Sequence, residues 1–189
     1  GQGRQQRALE EAGFWPLAQL VYMQRQVDRP TTAPTLGSGS IEVLHWSEAN
    51  RRAFADAILA SYEQTQDCPG LLGVRQIDDV IAGHMTTGRF DPRFWLVLRH
   101  EGEPVGVMLL NEVPQQQGFE LVYLGVSVRF RRQGWARRML QQGLALASTR
   151  GVLSIVLAVD HRNAPALRLY RGFGFQTTAR KTAMVLTLK

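Results

Sequence analysis

A single cysteine, Cys68, stands among 189 residues. That excludes an intramolecular disulfide and makes a reducing, cytoplasmic setting the expectation. No apolar stretch approaches the roughly 18 residues of a membrane span. Nor does a basic-then-apolar leader open the chain, so no membrane partner is expected. The four histidines (His45, His84, His100 and His161) are scattered without ligand spacing, and no metal is expected from them. Cys68 has no partnered His–Asp pair in view that would make it a nucleophile. The rest is ordinary for a globular protein, with 44% apolar and 20% charged residues. A chain of 189 residues suits one domain with a short appendage and can bury a real core.

The formal charge is +6. Its densest cluster is Arg129, Arg131, Arg132, Arg137 and Arg138, gathered at one predicted strand–helix junction. A nucleic-acid surface would spread its cations along a face with interleaved aromatics. The cluster instead favours a phosphate-bearing small ligand and disfavours nucleic acid as the partner. A solvated basic helix start is the plainer reading, and it stays open here.

Along the chain, residues 29–40 form a Pro/Thr/Gly/Ser stretch that reads as a linker. It divides a front segment, 1–28, from a domain over 41–189. Residues 41–46 have strand character, and Ser47 is a good helix N-cap. Ala53, Phe54, Ala57, Ile58 and Tyr62 then share one helical face, until Pro69 and Gly70 break the pattern. Ile77, Val80, Ile81 and His84 predict a second helix ending near Gly88. Strands follow at 94–99 and 105–113, joined by a hairpin turn, and at 119–128, where Gly125 is a bulge or close-approach point. A helix over 135–150 stops at Gly151. Residues 153–159 are a strand covered on both faces, 163–171 a short helix, and 175–178 and 183–188 two closing strands. The order β-α-α-β-β-β-α-β-α-β-β predicts an α/β fold, a mixed central sheet with helices on both faces.

Between the strand ending Leu124-Gly125-Val126-Ser127-Val128 and the next helix lies Arg131-Arg132-Gln133-Gly134-Trp135-Ala136. A turn that aims successive backbone N–H groups into a helix start makes an anion nest. Gly134 permits close approach of a pyrophosphate there, and Ala136 is small enough for the helix to begin against it. Downstream comes Asn163-Ala164-Pro165-Ala166-Leu167-Arg168-Leu169-Tyr170-Arg171-Gly172-Phe173-Gly174-Phe175. Together, in this order and on these elements, the two segments resemble the GNAT N-acetyltransferases. The resemblance runs over about 41–189 and is strongest over 120–175. In one departure, Arg132 stands where many members carry glycine, which puts the local turn geometry in question.

The resemblance implies a GNAT fold whose fourth and fifth strands, 120–128 and 153–159, splay apart to admit a thioester. It implies acetyl-CoA as co-substrate, with Arg131, Arg132, Gln133, Gly134, Trp135 and Ala136 around its pyrophosphate. Val126 and Val128 would pair with pantetheine through their main chain, and Asn163 would bond the same arm. The implied activity is attack of a primary amine, on a small molecule or protein, at the thioester carbon. Tyr170 matches the family's thiolate-protonating tyrosine, and a phenol of pKa about 10 is protonated at neutral pH. Glu120 stands where histone-type members carry a catalytic glutamate, and desolvation could raise its pKa usefully. His161, Tyr123 and a chain of waters compete for the base role. A non-catalytic acyl-CoA-binding domain of the same fold is the alternative function, and a homodimer is an open partner.

The front segment carries a second signal. An offset of 161 residues places Arg7 on Arg168, Gly13 on Gly174, Phe14 on Phe175, Ala18 on Ala179 and Met23 on Met184. That internal similarity suggests a duplication, as in tandem acyltransferases resembling mycothiol synthase. Residues 1–28 then read as the helix and strand that end a preceding repeat, with a helix near 5–11 and a strand within 20–27.

Overall fold

The computed structural model describes residues 2–27, 31–37, 39–71 and 73–186, with 2–6 described by backbone alone. Its five α-helices among these residues are α1 (Gln2–Glu11), α2 (Arg51–Tyr62), α3 (Ile77–Met85), α4 (Trp135–Thr149) and α5 (Ala164–Gly172). Seven strands form one sheet: β1 (Trp15–Gln26), β2 (Ile41–His45), β3 (Trp95–His100), β4 (Glu103–Val113), β5 (Gly118–Val126), β6 (Ser154–Asp160) and β7 (Gln176–Val185). Their spatial order is β2-β3-β4-β5-β6-β1-β7. All pairings are antiparallel except that of β5 with β6.

Alternation along the inner strands divides the core between the two faces. Leu96, Leu98, Met108 and Leu110 point to one side, where Met139, Leu140, Leu144 and Ala147 of α4 and Leu167 and Tyr170 of α5 cover them. Trp95, Val97, Val107 and Leu109 point to the other, against Trp46, Phe54, Ala57, Ile58 and Ile81. Each large side chain buried in this way contributes about 1.5–3 kcal/mol. On the second face the Trp46 and Trp95 rings meet edge to face with centroids 5.4 Å apart. Fully buried Asn111 joins α3 to the sheet. Its amide donates to the carbonyls of His84 and Thr87 at 2.7 and 2.5 Å, and its carbonyl accepts from Trp95 Nε1 at 2.8 Å.

Helix starts follow the capping expectation with one refinement. Ser47 Oγ accepts from Asn50 N at 3.2 Å, but it caps a 3₁₀ turn over Glu48–Asn50 that leads into α2. Of the two roles expected for Gly125, the bulge lies elsewhere. Leu109 faces Tyr123 and Leu110 faces Leu121, leaving Val122 as the extra residue. Gly125 is the close-approach point instead, because a Cβ there would sit 2.5 Å from Ser61 Oγ.

The chain ends differ most from expectation. In place of two closing strands there is one, β7; of the second expected strand, 187 and 188 lie outside the described residues. The position beside β6 is taken by β1, which pairs with β6 from Leu20↔Asp160 to Gln26↔Ser154. Ala18, Val21 and Met23, alternating or nearly so, bury on β1, and this burial supports it as an interior strand. Residues 31–37 have no regular structure, as a linker would, yet Leu36 is buried in the core.

Candidate functional site

β5 ends at Val126, and the chain turns through a 3₁₀ segment, Val128–Phe130, before α4 begins at Trp135. Ser127 fixes that exit: its N–H donates to Val105 O at 3.1 Å and its hydroxyl to Pro104 O at 2.7 Å. Two residues of the turn are left-handed, Arg132 at φ +63° and Gly134 at φ +86°. Such alternation directs successive N–H groups to one side and forms a nest. Gly134 is the N-cap of α4 and lends no side chain to the helix N–H groups. They carry the positive end of a 15-residue helix dipole. The left-handed φ of Arg132 also explains why glycine would suit that position. A Cβ on Gly134 would meet nothing within 4 Å, so the space over the turn is open.

The five arginines of the cluster have separate tasks. Arg131 does not face outward. Its Nε donates to Val126 O at 3.1 Å, while its terminal nitrogens donate to the carbonyls of Ser61, Glu63 and Gln64 at 3.0, 2.6 and 3.3 Å. The guanidinium thus ties the end of β5 to the C-terminal end of α2, where a cation also meets the negative dipole end. Arg129 lies 3.5 Å from Glu103. Arg138 stacks over Trp135 at 5.0 Å and Arg137 over Phe173 at 5.2 Å. Exposed Arg132, Arg137 and Arg138 are what surround the nest. Gln133 Nε2 donates to Arg129 O at 3.0 Å, and Trp135 Nε1 is buried with no partner among the described residues.

β5 and β6 pair in parallel only from Gly118↔Ser154 to Glu120↔Val156, then part. Glu120 sits at the fork. It is half-buried, and desolvation alone pushes its carboxyl above the usual range. The far lip of the gap is the end of β6, where Asp160 is fully buried. Burial works to raise its pKa, but hydrogen bonds from Arg162 outweigh that and hold it below the usual value. Its Oδ2 accepts from Arg162 and, at 3.3 Å, from Cys68 N, while its own N–H donates to Asp67 Oδ1 at 2.8 Å. One segment, 61–68, is therefore gripped by Arg131 at the β5 lip and by Asp160 at the β6 lip. Burial raises the Asp67 carboxyl, and the nearby Asp160 charge adds to that rise. Burial, then Asp67 and Asp160, pushes the Cys68 thiol up to about 11, so it stays an inert thiol at neutral pH.

On the α5 side, Asn163 Oδ1 caps the helix by accepting from Ala166 N at 3.2 Å, which commits its carbonyl and leaves its amide toward Asp67. Tyr170 is 7% exposed, its ring 5.8 Å from that of Phe175. Burial first, then the charge of Asp67, raises its phenol well above the ordinary value, so it is protonated at any physiological pH. Tyr123 lies on the α2–α3 side of β5, and its hydroxyl is 2.7 Å from Ser61 Oγ. Burial raises Tyr123 strongly as well, which makes it a poor base. His84 packs 5.6 Å from the Tyr123 ring, its Nε2 buried and unpartnered among the described residues. Burial, then Arg75, lowers His84 to about 4. His161 lies beside Asp160, 3.3 Å from Oδ1. Among the described residues no His/Cys/Asp/Glu group could hold a metal ion, and no helix is long and apolar enough to cross a membrane.

The sequence expectations named the nest, the fork and Tyr170 but missed the bridge over the mouth. In the sequence Pro69 and Gly70 mark only a helix break, and the predicted strand stops at Val159, one residue short of Asp160. A cavity of about 740 Å³ lies elsewhere, lined by Gln24, Gln26, Gln141, Phe173 and Gly174, and shares only Arg137 with the stretch that forms the nest.

Known proteins resemble this chain in sequence and in fold. The profile of the acetyltransferase (GNAT) family matches residues 42–175. A mycothiol acetyltransferase of Thermobispora bispora is 28% identical over 166 residues, which is 81% of this chain and 52% of that protein. The mouse (Mus musculus) N-acetyltransferase family 8 member 3 is 34% identical over 89 residues, 45% of this chain and 39% of that protein. The crystal structure of a GCN5-related N-acetyltransferase from Sphaerobacter thermophilus superposes with a TM-score of 0.70 at 23% identity, covering 96% of this chain and 55% of that one. The chain thus spans about half the length, or less, of these relatives.

Proposed function

The chain belongs to the acetyltransferase (GNAT) family, and from that premise we propose that it moves an acetyl group from acetyl-CoA to a primary amine of a small molecule or protein. The family's use of acetyl-CoA supplies the donor. The observation that carries the reading is the fork after Glu120↔Val156, opening directly toward an uncapped helix start at Gly134. A linear thioester with a diphosphate at its far end fits that sequence of features: an anion nest, a strand edge, then a gap in the sheet. Backbone N–H groups of Gln133, Gly134, Trp135 and Ala136 take the pyrophosphate, with Arg132 beside them. Pantetheine runs along Val126 and Val128, toward the amide of Asn163. Arg131 acts through the scaffold, holding the mouth segment 61–64 and the Val126 carbonyl in place.

In the reaction the amine nitrogen attacks the thioester carbonyl carbon, a C–N bond forms, and negative charge collects on oxygen. A main-chain N–H near Val126 stabilises that oxygen, an interaction typically worth about 3 kcal/mol. The C–S bond then breaks, and the departing thiolate takes the Tyr170 phenol proton. Glu120, raised by desolvation, accepts the amine proton directly or through water. Among its rivals, Tyr123 is held protonated by burial, and His161 stands at the Asp160 lip.

The test is release of free CoA thiol from acetyl-CoA across a panel of primary amines, with the acetylated amine identified by mass. Acetyl-CoA binding without transfer to any amine would instead favour a non-catalytic acyl-CoA-binding domain.

A further inference from the structure

The edge of β6 that β5 leaves is covered at its far end. His161 N donates to Gln19 O at 2.8 Å, toward β1. Successive amides of a strand alternate in direction, so that of Asp160 points the other way, into the fork. There it donates to Asp67 Oδ1 at 2.8 Å. A carboxylate from the segment between α2 and α3 thus stands in the opening of the sheet. Asn163 faces it from the start of α5, and its charge bears on the hydroxyls of Tyr62, Tyr123 and Tyr170. The Tyr62 and Tyr123 rings meet edge to face with centroids 6.2 Å apart, and both are half-buried.

Asp67 has no counter-ion among the described residues. Burial raises its carboxyl, the charge of Asp160 adds to the rise, and the hydrogen bonds from Asp160 N and Asn163 offset it only in part. The cations nearby are committed elsewhere. Arg162 pairs with Asp160 at 2.9 Å. Arg131 donates to the carbonyls of Ser61, Glu63 and Gln64, and Arg75 to that of Asp79 at 3.2 Å. A buried charge without a partner is costly to keep. A carboxylate attracts an ammonium directly, and phenol rings attract it through their faces. The surroundings of Asp67, three tyrosines and a second acid, therefore suit a cation and repel an anion. Glu120 at the base of the fork is a separate group, which only burial shifts.

Taking acetyl transfer at this fork as given, we propose that Asp67 determines acceptor specificity by holding a second, cationic group of the acceptor, which is therefore an alkyl diamine or polyamine. The two carboxylates divide the work. The reacting nitrogen must lose its proton before it attacks, and Glu120 takes that proton. Asp67 holds a charge that persists throughout, so it needs a nitrogen that does not react. The tethered ammonium supplies the missing counter-ion and would reverse the rise in the Asp67 pKa. Tyr62 and Tyr123 wall its approach with aromatic surface, and the bonds made and broken remain those of acetyl transfer.

The test compares α,ω-diaminobutane and spermidine with butylamine, on the wild type and on Asp67→Asn, which keeps an oxygen for the Asp160 N–H. Acetyl transfer from acetyl-CoA gives kcat and KM for each amine. Calorimetric titration of each amine into the CoA-saturated protein gives its affinity without turnover. Wild type is expected to favour at least one of the two polycationic amines over butylamine by about 30-fold or more, in kcat/KM and in affinity. Asp67→Asn is expected to abolish that preference through KM, raising it about 30-fold more for the polycationic amine than for butylamine. Wild type that binds and uses all three amines equally well, or binds none, overturns the proposal without any variant having to fold. A loss in Asp67→Asn that falls on butylamine just as heavily also overturns it, since a merely structural carboxylate would act that way. Diamine binding that depends on Asp67, with no transfer to any amine, would refute acetyl transfer and leave the Asp67 site standing.

Discussion

Tyr170→Phe separates chemistry from packing at the one side chain to which the mechanism assigns a proton. The ring stays against Phe175 at 5.8 Å, and the capping bonds of its helix use the Tyr170 carbonyl, not its hydroxyl. The substitution therefore removes a buried hydroxyl and little volume, and stability should change by no more than about 1 kcal/mol in either direction. Burial and Asp67 keep the phenol protonated, so wild type holds the acid in its active form across the physiological range. General-acid catalysis is typically worth roughly 10²–10⁴-fold, and kcat should fall by that much. The dissociation constant for acetyl-CoA should move by less than about threefold, because the hydroxyl acts after the thioester begins to break. Steady-state kinetics with an accepted amine, alongside calorimetric titration of acetyl-CoA, reads both quantities. Turnover within a few-fold of wild type in a folded variant would remove Tyr170 from the mechanism.

Three further outcomes follow from the same geometry. His84 is held neutral down to about pH 4, while an unfolded histidine protonates near 6.5. Stability is therefore full above about 6.5 and should fall by the order of 2–3 kcal/mol as pH drops toward 4; denaturant titrations should show His84→Phe flattening that window. Gly125→Ala would place a Cβ 2.5 Å from Ser61 Oγ and 2.8 Å from Tyr123 Cε1; an expected loss of about 1–3 kcal/mol, with weakened acetyl-CoA binding through the displaced Ser61–Arg131 contact, is checked by melts and titration. Arg132→Gly relieves a left-handed non-glycine residue and should raise stability by about 0.5–1 kcal/mol in chemical denaturation; a loss instead would mean that the arginine side chain is itself structural.

Local chemistry made much of this legible in advance. The α4 stripe of Met139, Leu140, Leu144 and Ala147 carries its period in the sequence and lies where that period requires. The run at 153–159, expected to be covered on both faces, buries Ile155, Leu157 and Val159 in the core but leaves Leu153 and Ala158 exposed. The nest was readable because Gly134 precedes a helix start. What escaped depended on distant partners. Nothing near Arg131 says that its guanidinium reaches back to Ser61 and Glu63, and its place in a basic cluster suggested the opposite orientation. Asp67 and Asp160 are 93 residues apart, so their joint grip on the mouth has no local signature. The position of β1 is set by a non-local competition. The sequence similarity marked it as a strand, but only the sheet shows that it takes the edge of β6 and leaves β7 outermost. The left-handed backbone at Gly134, φ +86°, likewise has no local signature beyond the glycine itself, and a β-branched residue there would cost roughly 1–3 kcal/mol in backbone strain.

The central claim is that the α4 start holds the coenzyme, and the most direct test is a nuclear magnetic resonance titration with acetyl-CoA that follows backbone amides. At 21.2 kDa the chain suits the method. The account predicts saturable shifts concentrated at Gln133, Gly134, Trp135 and Ala136, extending to Val126 and Val128. Saturable shifts that instead gather around Gln24, Gln141 and Phe173, or no saturable shift at all, would contradict it.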